Sequence, residues 1–257
     1  MSRGSGADAV AGPGDRPAIR GILLDVDDTL VDTRGAFRHA LLRVADEYLD
    51  AGADAEAVLA HWRDDRGGWY RAHTRGEMSH REQRKRRAQD LHATFGGPDL
   101  DDDAYDVWDA GFERHFREGW KPFPDAAPLL DALDAAGIPY GSVSNANLAY
   151  QELKLAACGL ERVEMFVGVD TFGVGKPDPR VFLEGCARLS LPADAVAYVG
   201  DEPDLDAAGA ARAGLTGVWL DRPGTRRTGH DGDDLGDLGD RTVRASGLDD
   251  VMAALGL

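Results

Sequence analysis

Apolar residues in this chain fall into short unbroken runs and into longer stretches of helical period. The first run, Ile22-Leu23-Leu24, breaks off into Asp25-Val26-Asp27-Asp28-Thr29. A run of this kind reads as a strand covered on both faces, so Asp25 and Asp27 emerge where the strand meets its loop. Two acids separated by one residue point the same way along an extended chain, which lets both converge on one metal ion or one reacting group. The plainer alternative is a solvated acidic turn, since Asp clusters at strand ends are common.

After Asp32 the rhythm is helical for about 90 residues. Phe37, Ala40, Leu41, Val44, Ala45 and Leu49 recur at three-and-four spacing, the mark of an amphipathic helix, and 55–62 continues in that mode. Ser79 followed by Glu82 is a capping-box signature for a helix running to Phe95. Tyr105, Trp108, Phe112 and Phe116 form another stripe, which Pro122 and Pro124 terminate. From there helix and strand alternate. Asp125 is placed to cap a helix through Ala136, followed by a strand over 138–143, a helix over 148–158 and a strand over 163–169. Asp178-Pro179 opens a helix to Leu189 with proline at its first position. A strand over 195–199, a helix over 203–213 closed by Gly214, and a strand over 216–220 complete the pattern.

Strands alternating with helices require right-handed crossovers and a parallel sheet. The predicted fold is α/β, a Rossmann-like doubly wound parallel sheet core interrupted by an all-helical insertion. The boundaries read as a disordered tail over 1–17, rich in Gly, Ser, Ala and Pro, a core over 18–34 and 122–257, and the insertion over 35–121. Ligands of such sheets sit beyond the carboxyl ends of the strands, so the residues following each strand carry the candidate chemistry.

The first strand delivers Asp25 and Asp27. The second delivers Ser144-Asn145, a hydroxyl followed by a backbone N–H suited to an oxyanion, although a helix cap is the simpler reading of the pair taken alone. Ser142 would share the facing of Ser144 but lies deeper in the strand. The third leads to Gly173-Val174-Gly175-Lys176-Pro177, a loop lysine in a chain with only Lys85, Lys121, Lys154 and Lys176. The fourth delivers Gly200-Asp201-Glu202-Pro203-Asp204-Leu205-Asp206. Carboxylate, hydroxyl, ammonium and carboxylate thus arrive in order at one edge of one sheet.

Charge sharpens the point about Lys176. Asp and Glu total 46 against 29 Lys and Arg, a formal net charge of −17. That field repels nucleic-acid backbones, anionic membranes and phosphate alike, so an anion site here must bring its own cation. The basic run 81–87, REQRKRR, mixes charges at a helix start and reads as a solvated helix face. The stretch 229–240, GHDGDDLGDLGD, lacks the ligand positions of a calcium loop and reads as a mobile acidic loop. Cys158 and Cys186 are the only cysteines, and neither they nor the seven histidines show close metal-ligand spacing. Residues 1–17 contain no apolar core of signal-peptide length, and apolar runs of about five residues fall far short of the roughly 20 that a membrane helix needs. A cytoplasmic protein without nucleic-acid or membrane partners is expected.

Asp25-Val26-Asp27-Asp28-Thr29, Ser144-Asn145, Lys176-Pro177 and Gly200-Asp201 through Asp206 resemble the four signature motifs of the haloacid dehalogenase superfamily. The likeness is to the branch with a helical cap inserted between the first two motifs, and GVGKPDP (173–179) and GAARAG (209–214) are similar to that branch as well. The resemblance implies Asp25 as nucleophile, Asp27 as proton donor and then base, and Mg²⁺ held by Asp25, Asp201 and the Asp27 carbonyl. It implies Ser144 and the Asn145 N–H as phosphate contacts, Lys176 as the offsetting cation, and Asp206 orienting Lys176 or metal-bound water. Superfamily members that cleave carbon–halogen or carbon–phosphorus bonds lack an acid at the position of Asp27. Its presence favours a Mg²⁺-dependent phosphatase of a small phosphorylated metabolite, working through an aspartyl-phosphate as a monomer or homodimer. The alternatives are a phosphomutase and a non-catalytic binding protein on the same fold. In the cap, GGWYRAHTRGEMSHREQ resembles pyrimidine 5′-nucleotidase and N-acylneuraminate-9-phosphatase relatives, which makes Trp69, Tyr70, Arg71, His73 and Arg75 candidate specificity residues, with core packing the alternative for the aromatics.

Overall fold

The computed structural model describes residues 18–223 and 240–257. The predicted tail over 1–17 and nearly all of the acidic loop over 229–240 lie outside the described residues. The chain divides into two compact units, Met1–Leu30 with Pro122–Leu257, and Val31–Lys121.

The first unit opens with β1 (Gly21–Leu24), every residue of which is buried. The chain then forms the second unit from α1 (Thr33–Tyr48), α2 (Ala55–Asp64), α3 (Trp69–Thr74), α4 (His80–Phe95) and α5 (Asp102–Glu118). Side-chain caps start four of these helices: the carboxylates of Asp32, Asp54 and Asp101 and the Ser79 hydroxyl each accept a backbone N–H of the first turn. The apolar stripes meet in one core containing Leu41, Val44, Val58, Trp62, Leu91, Tyr105, Trp108 and Phe112. The basic run lies on α4, where Arg81, Arg84 and Lys85 pair with Asp106, Asp109 and Asp102 of α5. Arg87 instead lays its guanidinium over Trp62, 4.3 Å from the ring centre.

Back in the first unit follow α6 (Ala126–Ala136), β2 (Tyr140–Val143), α7 (Leu148–Ala157), β3 (Met165–Val167), α8 (Val169–Phe172), α9 (Pro179–Arg188), β4 (Val196–Gly200), α10 (Ala208–Arg212), β5 (Thr216–Leu220), β6 (Thr242–Ala245) and α11 (Val251–Leu255). All strands are parallel, in the order β3-β2-β1-β4-β5-β6. The expected Rossmann-like doubly wound sheet is therefore present. Strand order runs outward from β1 to β3 and then restarts with β4 on the other side of β1. That reversal opens a crevice beyond the strand ends, and the segments after β1 and β4 flank it.

Three local expectations need correction. Asp125 does not cap α6 with its side chain; Arg222 holds the carboxylate through two bonds of 2.7 and 2.8 Å, and the Leu248 N–H donates a third at 2.8 Å. The helix over 203–213 is in fact a wide turn over Pro203–Ala207 followed by α10. The edge strand β6 was not predicted, because TVRA has too few apolar residues to signal one. Among the described residues no helix is long and apolar enough to cross a membrane.

Candidate active site

Apolar sequence carries β1 and β4 through the middle of the sheet, and each strand ends where its apolar run gives way to Asp. Asp25 follows β1 directly, its N–H bonded to the Val199 carbonyl of β4 at 2.9 Å. Its carboxylate is buried and lies 2.8 Å from Lys176 Nζ. The same ammonium contacts Asp206 Oδ1 at 2.7 Å and donates to the Tyr198 hydroxyl at 2.8 Å. A lysine has three N–H donors, and here all three have a partner. Tyr198 in turn donates to the Val143 carbonyl at 2.9 Å. Lys176 is thus no solvated loop charge, being only 8% exposed.

Two glycines make this packing possible. A Cβ at Gly175 would strike the Asn145 side chain, and one at Gly200 would strike Asp206. With glycine there, Asn145 grips the Lys176 backbone from both sides, accepting its N–H at 2.5 Å and donating to its carbonyl at 3.1 Å. Asp206 is completely buried and also accepts the Glu202 N–H at 2.9 Å. Asp206 therefore positions Lys176 and ties down the loop after β4.

Burial pushes the Asp25 carboxyl well above the usual carboxylate range; Lys176 opposes the shift, while Asp206, Asp27 and Asp201 add to it. Burial works against the Lys176 ammonium, yet Asp206 and Asp25 hold its pKa well above the ordinary lysine value, so it stays charged. Asp25, Asp201 and Asp206 present carboxylate oxygens that all lie within 4.8 Å of one another. These are hard oxygen donors with surplus negative charge, the set that suits Mg²⁺. A divalent cation among them would also favour ionised Asp25. Asp206 already serves Lys176 and the Glu202 N–H.

Ser144, the next predicted site residue, is buried, and its Oγ accepts from the Ala146 N–H at 3.2 Å and from Gln151 Nε2 at 2.8 Å. Neither it nor Asn145 caps the following helix; Asn147 does, accepting the Tyr150 N–H. Ser142 is fully buried, and its hydroxyl has no partner in the protein. The Asp25 and Asp27 side chains meet different lysines. Asp27 accepts from Gln151 Nε2 at 2.6 Å and pairs with Lys154. Asp28 takes a left-handed φ of 57° in the turn. Sequence reasoning missed Tyr198, Gln151 and Lys154. Tyr198 sits in the apolar run of β4, while Gln151 and Lys154 read as ordinary polar positions of an amphipathic helix.

The helical unit holds none of these groups. Trp69, Tyr70, Arg71 and His73 lie on α3, where the N–H groups of Tyr70 and Arg71 donate to the Asp65 carboxylate; Arg75 follows and pairs with Glu77. None of the five lines either of two cavities among the described residues of this unit, one of about 180 Å³ between Phe37, His80, Arg84 and Phe112 and one of about 520 Å³ beside Arg38, Leu42, Leu49 and Val58. A second cluster with metal-ligating side chains, His39, His115 and Glu118, is present in this unit. Both ring nitrogens of His115 are already taken, by Glu118 at 2.7 Å and Glu47 at 2.8 Å, and Arg114 lies beside them. It reads as an ion-pair network.

The profile of the haloacid dehalogenase-like hydrolases matches residues 19–214. The chain is 36% identical over 103 residues to a glyceraldehyde 3-phosphate phosphatase of Methanopyrus kandleri, a match spanning 40% of this chain and only 44% of that relative. It is 28% identical to the phosphoglycolate phosphatase of Escherichia coli across 93% of both chains. It is also 28% identical to (S)-2-haloacid dehalogenase 4A of Burkholderia cepacia, across 80% of this chain and 85% of the relative. Among solved structures, the magnesium-bound hydrolase YfnB of Bacillus subtilis shares the fold, with a TM-score of 0.73 at 22% identity over 94% of this chain and all of that one. With strands β1 to β4, the inserted helices and most of its length inside the matched residues, the chain belongs to the haloacid dehalogenase-like hydrolases.

Proposed function

We propose that this chain is a Mg²⁺-dependent phosphatase that hydrolyses a small phosphomonoester through an aspartyl-phosphate on Asp25. The observation that carries the reading is a buried carboxylate, Asp25, in contact with a buried ammonium, Lys176, with Asp201 close by and a further acid two residues along at Asp27. The phosphoglycolate phosphatase relative, aligned over nearly the whole chain, supports it. The dehalogenase relative makes Asp27 the deciding residue, since an ester oxygen needs a proton on leaving and a halide does not.

The Asp25 carboxylate oxygen attacks phosphorus, and the P–O ester bond breaks with its electron pair on the leaving oxygen. Asp27 supplies the proton to that oxygen, then removes one from the water that attacks the phosphoryl group, releasing phosphate and free Asp25. Lys176 offsets the charge of the nucleophile and of the phosphoryl oxygens, and Ser144 and the Asn145 N–H hold those oxygens. Mg²⁺, held by Asp25, Asp201 and the Asp27 carbonyl, would let two anions approach one another.

Hydrolysis of 4-nitrophenyl phosphate tests the reading. Turnover should require added Mg²⁺, stop with EDTA, and fall by on the order of 10³-fold or more in Asp25→Asn. Full turnover in Asp25→Asn, or inert wild type with Mg²⁺, would overturn it. Inorganic phosphate should appear in step with nitrophenol; retention of the phosphoryl group would point to a phosphotransferase instead.

A further inference from the structure

Asp27 has two jobs in that reaction, and α7 controls where its carboxylate sits. Lys154 Nζ pairs with Oδ1, and Gln151 Nε2 donates to Oδ2 at 2.6 Å. The donors stand three residues apart on one face of α7. Gln151 is fully buried and Lys154 only 2% exposed, although Asp27 itself retains about a third of its side-chain exposure. Burying an ammonium costs unless it is paired, and Lys154 is paired with the carboxylate of the proton-transfer residue.

The Gln151 amide has only one workable orientation. Nε2 faces both the Asp27 carboxylate and Ser144 Oγ, at 2.6 and 2.8 Å, while Oε1 has no partner in the protein. Turning the amide over would set its oxygen against a carboxylate. Each Nε2 hydrogen therefore has one acceptor, and the series Lys154, Asp27, Gln151, Ser144 is continuous. Ser144 Oγ accepts from Gln151 and from the Ala146 N–H. With both lone pairs used, its own hydrogen points elsewhere, free to donate to a phosphoryl oxygen.

We infer that Gln151 and Lys154 are positioning residues that lock the Asp27 carboxylate in place for proton transfer. The inference rests on the phosphatase reading. It singles out the second half of the reaction. A 4-nitrophenolate leaves phosphorus without a proton, so formation of the aspartyl-phosphate from 4-nitrophenyl phosphate does not need Asp27. Hydrolysis of that acyl phosphate does, because the attacking water must give up a proton as the Asp25 O–P bond breaks.

Rapid-mixing kinetics with 4-nitrophenyl phosphate and Mg²⁺ read the two halves separately. In Lys154→Met and Gln151→Leu the first nitrophenolate equivalent should appear within about threefold of the wild-type rate. Steady-state turnover should fall on the order of 10²-fold, the usual consequence of a misplaced catalytic group. Acid-quenched variants should carry a phosphoryl group on Asp25 by mass, Lys154→Arg should recover part of the loss, and Lys154→Met added to Asp27→Asn should cost nothing further. Burst and steady-state rates falling together, unchanged turnover, or a full additional loss in the double variant would each overturn the inference and leave the phosphatase reading standing. Should one variant fail to fold by thermal melting, the other carries the same test. Wild type inert on the ester would remove both.

Discussion

At the residue scale, the site depends on how completely one ammonium is used. Lys176 gives its three donors to Asp25, Asp206 and Tyr198, and its backbone is gripped by Asn145 on both sides. Removing one donor's partner should loosen the ammonium without removing its charge. Tyr198→Phe should lower kcat about 3- to 10-fold with little change in KM, an effect of about 1 kcal/mol because Asp25 and Asp206 still hold the ammonium; steady-state assays check it, and a loss beyond 10³-fold would mean that Tyr198 does more than hold Lys176. Lys176 was legible because a lone lysine in a Gly- and Pro-bounded loop stands out. Tyr198 was not, since VAYVG reads as core strand and its hydroxyl acquires a partner only when β4 is set beside the loop after β3.

At the element scale, caps that use neighbouring residues were readable and those that use distant ones were not. Ser79 and Asp178 cap α4 and α9 within their own first turns, as their spacing predicts. Asp125 looked like a cap of the same kind but is held by Arg222, 97 residues away, and by the Leu248 N–H. Burial works to raise the Asp125 carboxyl, but its bonds from Arg222 and Leu248 outweigh that and leave it below the usual carboxylate range. A carboxyl with a depressed folded value contributes stability that is present above its unfolded value near pH 4 and lost as the pH falls through the folded one. Arg222→Met should therefore cost about 2 kcal/mol at pH 7 and flatten the stability loss on acidification, measured by urea unfolding between pH 6 and pH 3. An unchanged acid limb would refute the assignment.

At the scale of the whole molecule, the excess of negative charge sets how a phosphate ester arrives. A net charge of −17 repels a dianion, and salt screens that repulsion over about 8–10 Å at physiological ionic strength. At fixed free Mg²⁺, kcat/KM for 4-nitrophenyl phosphate should rise severalfold between about 10 and 150 mM monovalent salt; a fall would mean that the cations of the site outweigh the surface. The sequence by itself determined the alternation of strand and helix, the helical insertion and the residues that end each strand, because hydrophobic period and turn chemistry are local properties of a chain. Only the tertiary structure decided which groups meet. Parallel pairing of β3, β2, β1 and β4 brings Lys176 to Asp25 and Asp206, and sends Asp27 to Gln151 and Lys154. Those contacts join residues more than 100 positions apart in the case of Asp27, and no local pattern encodes a partner that distant.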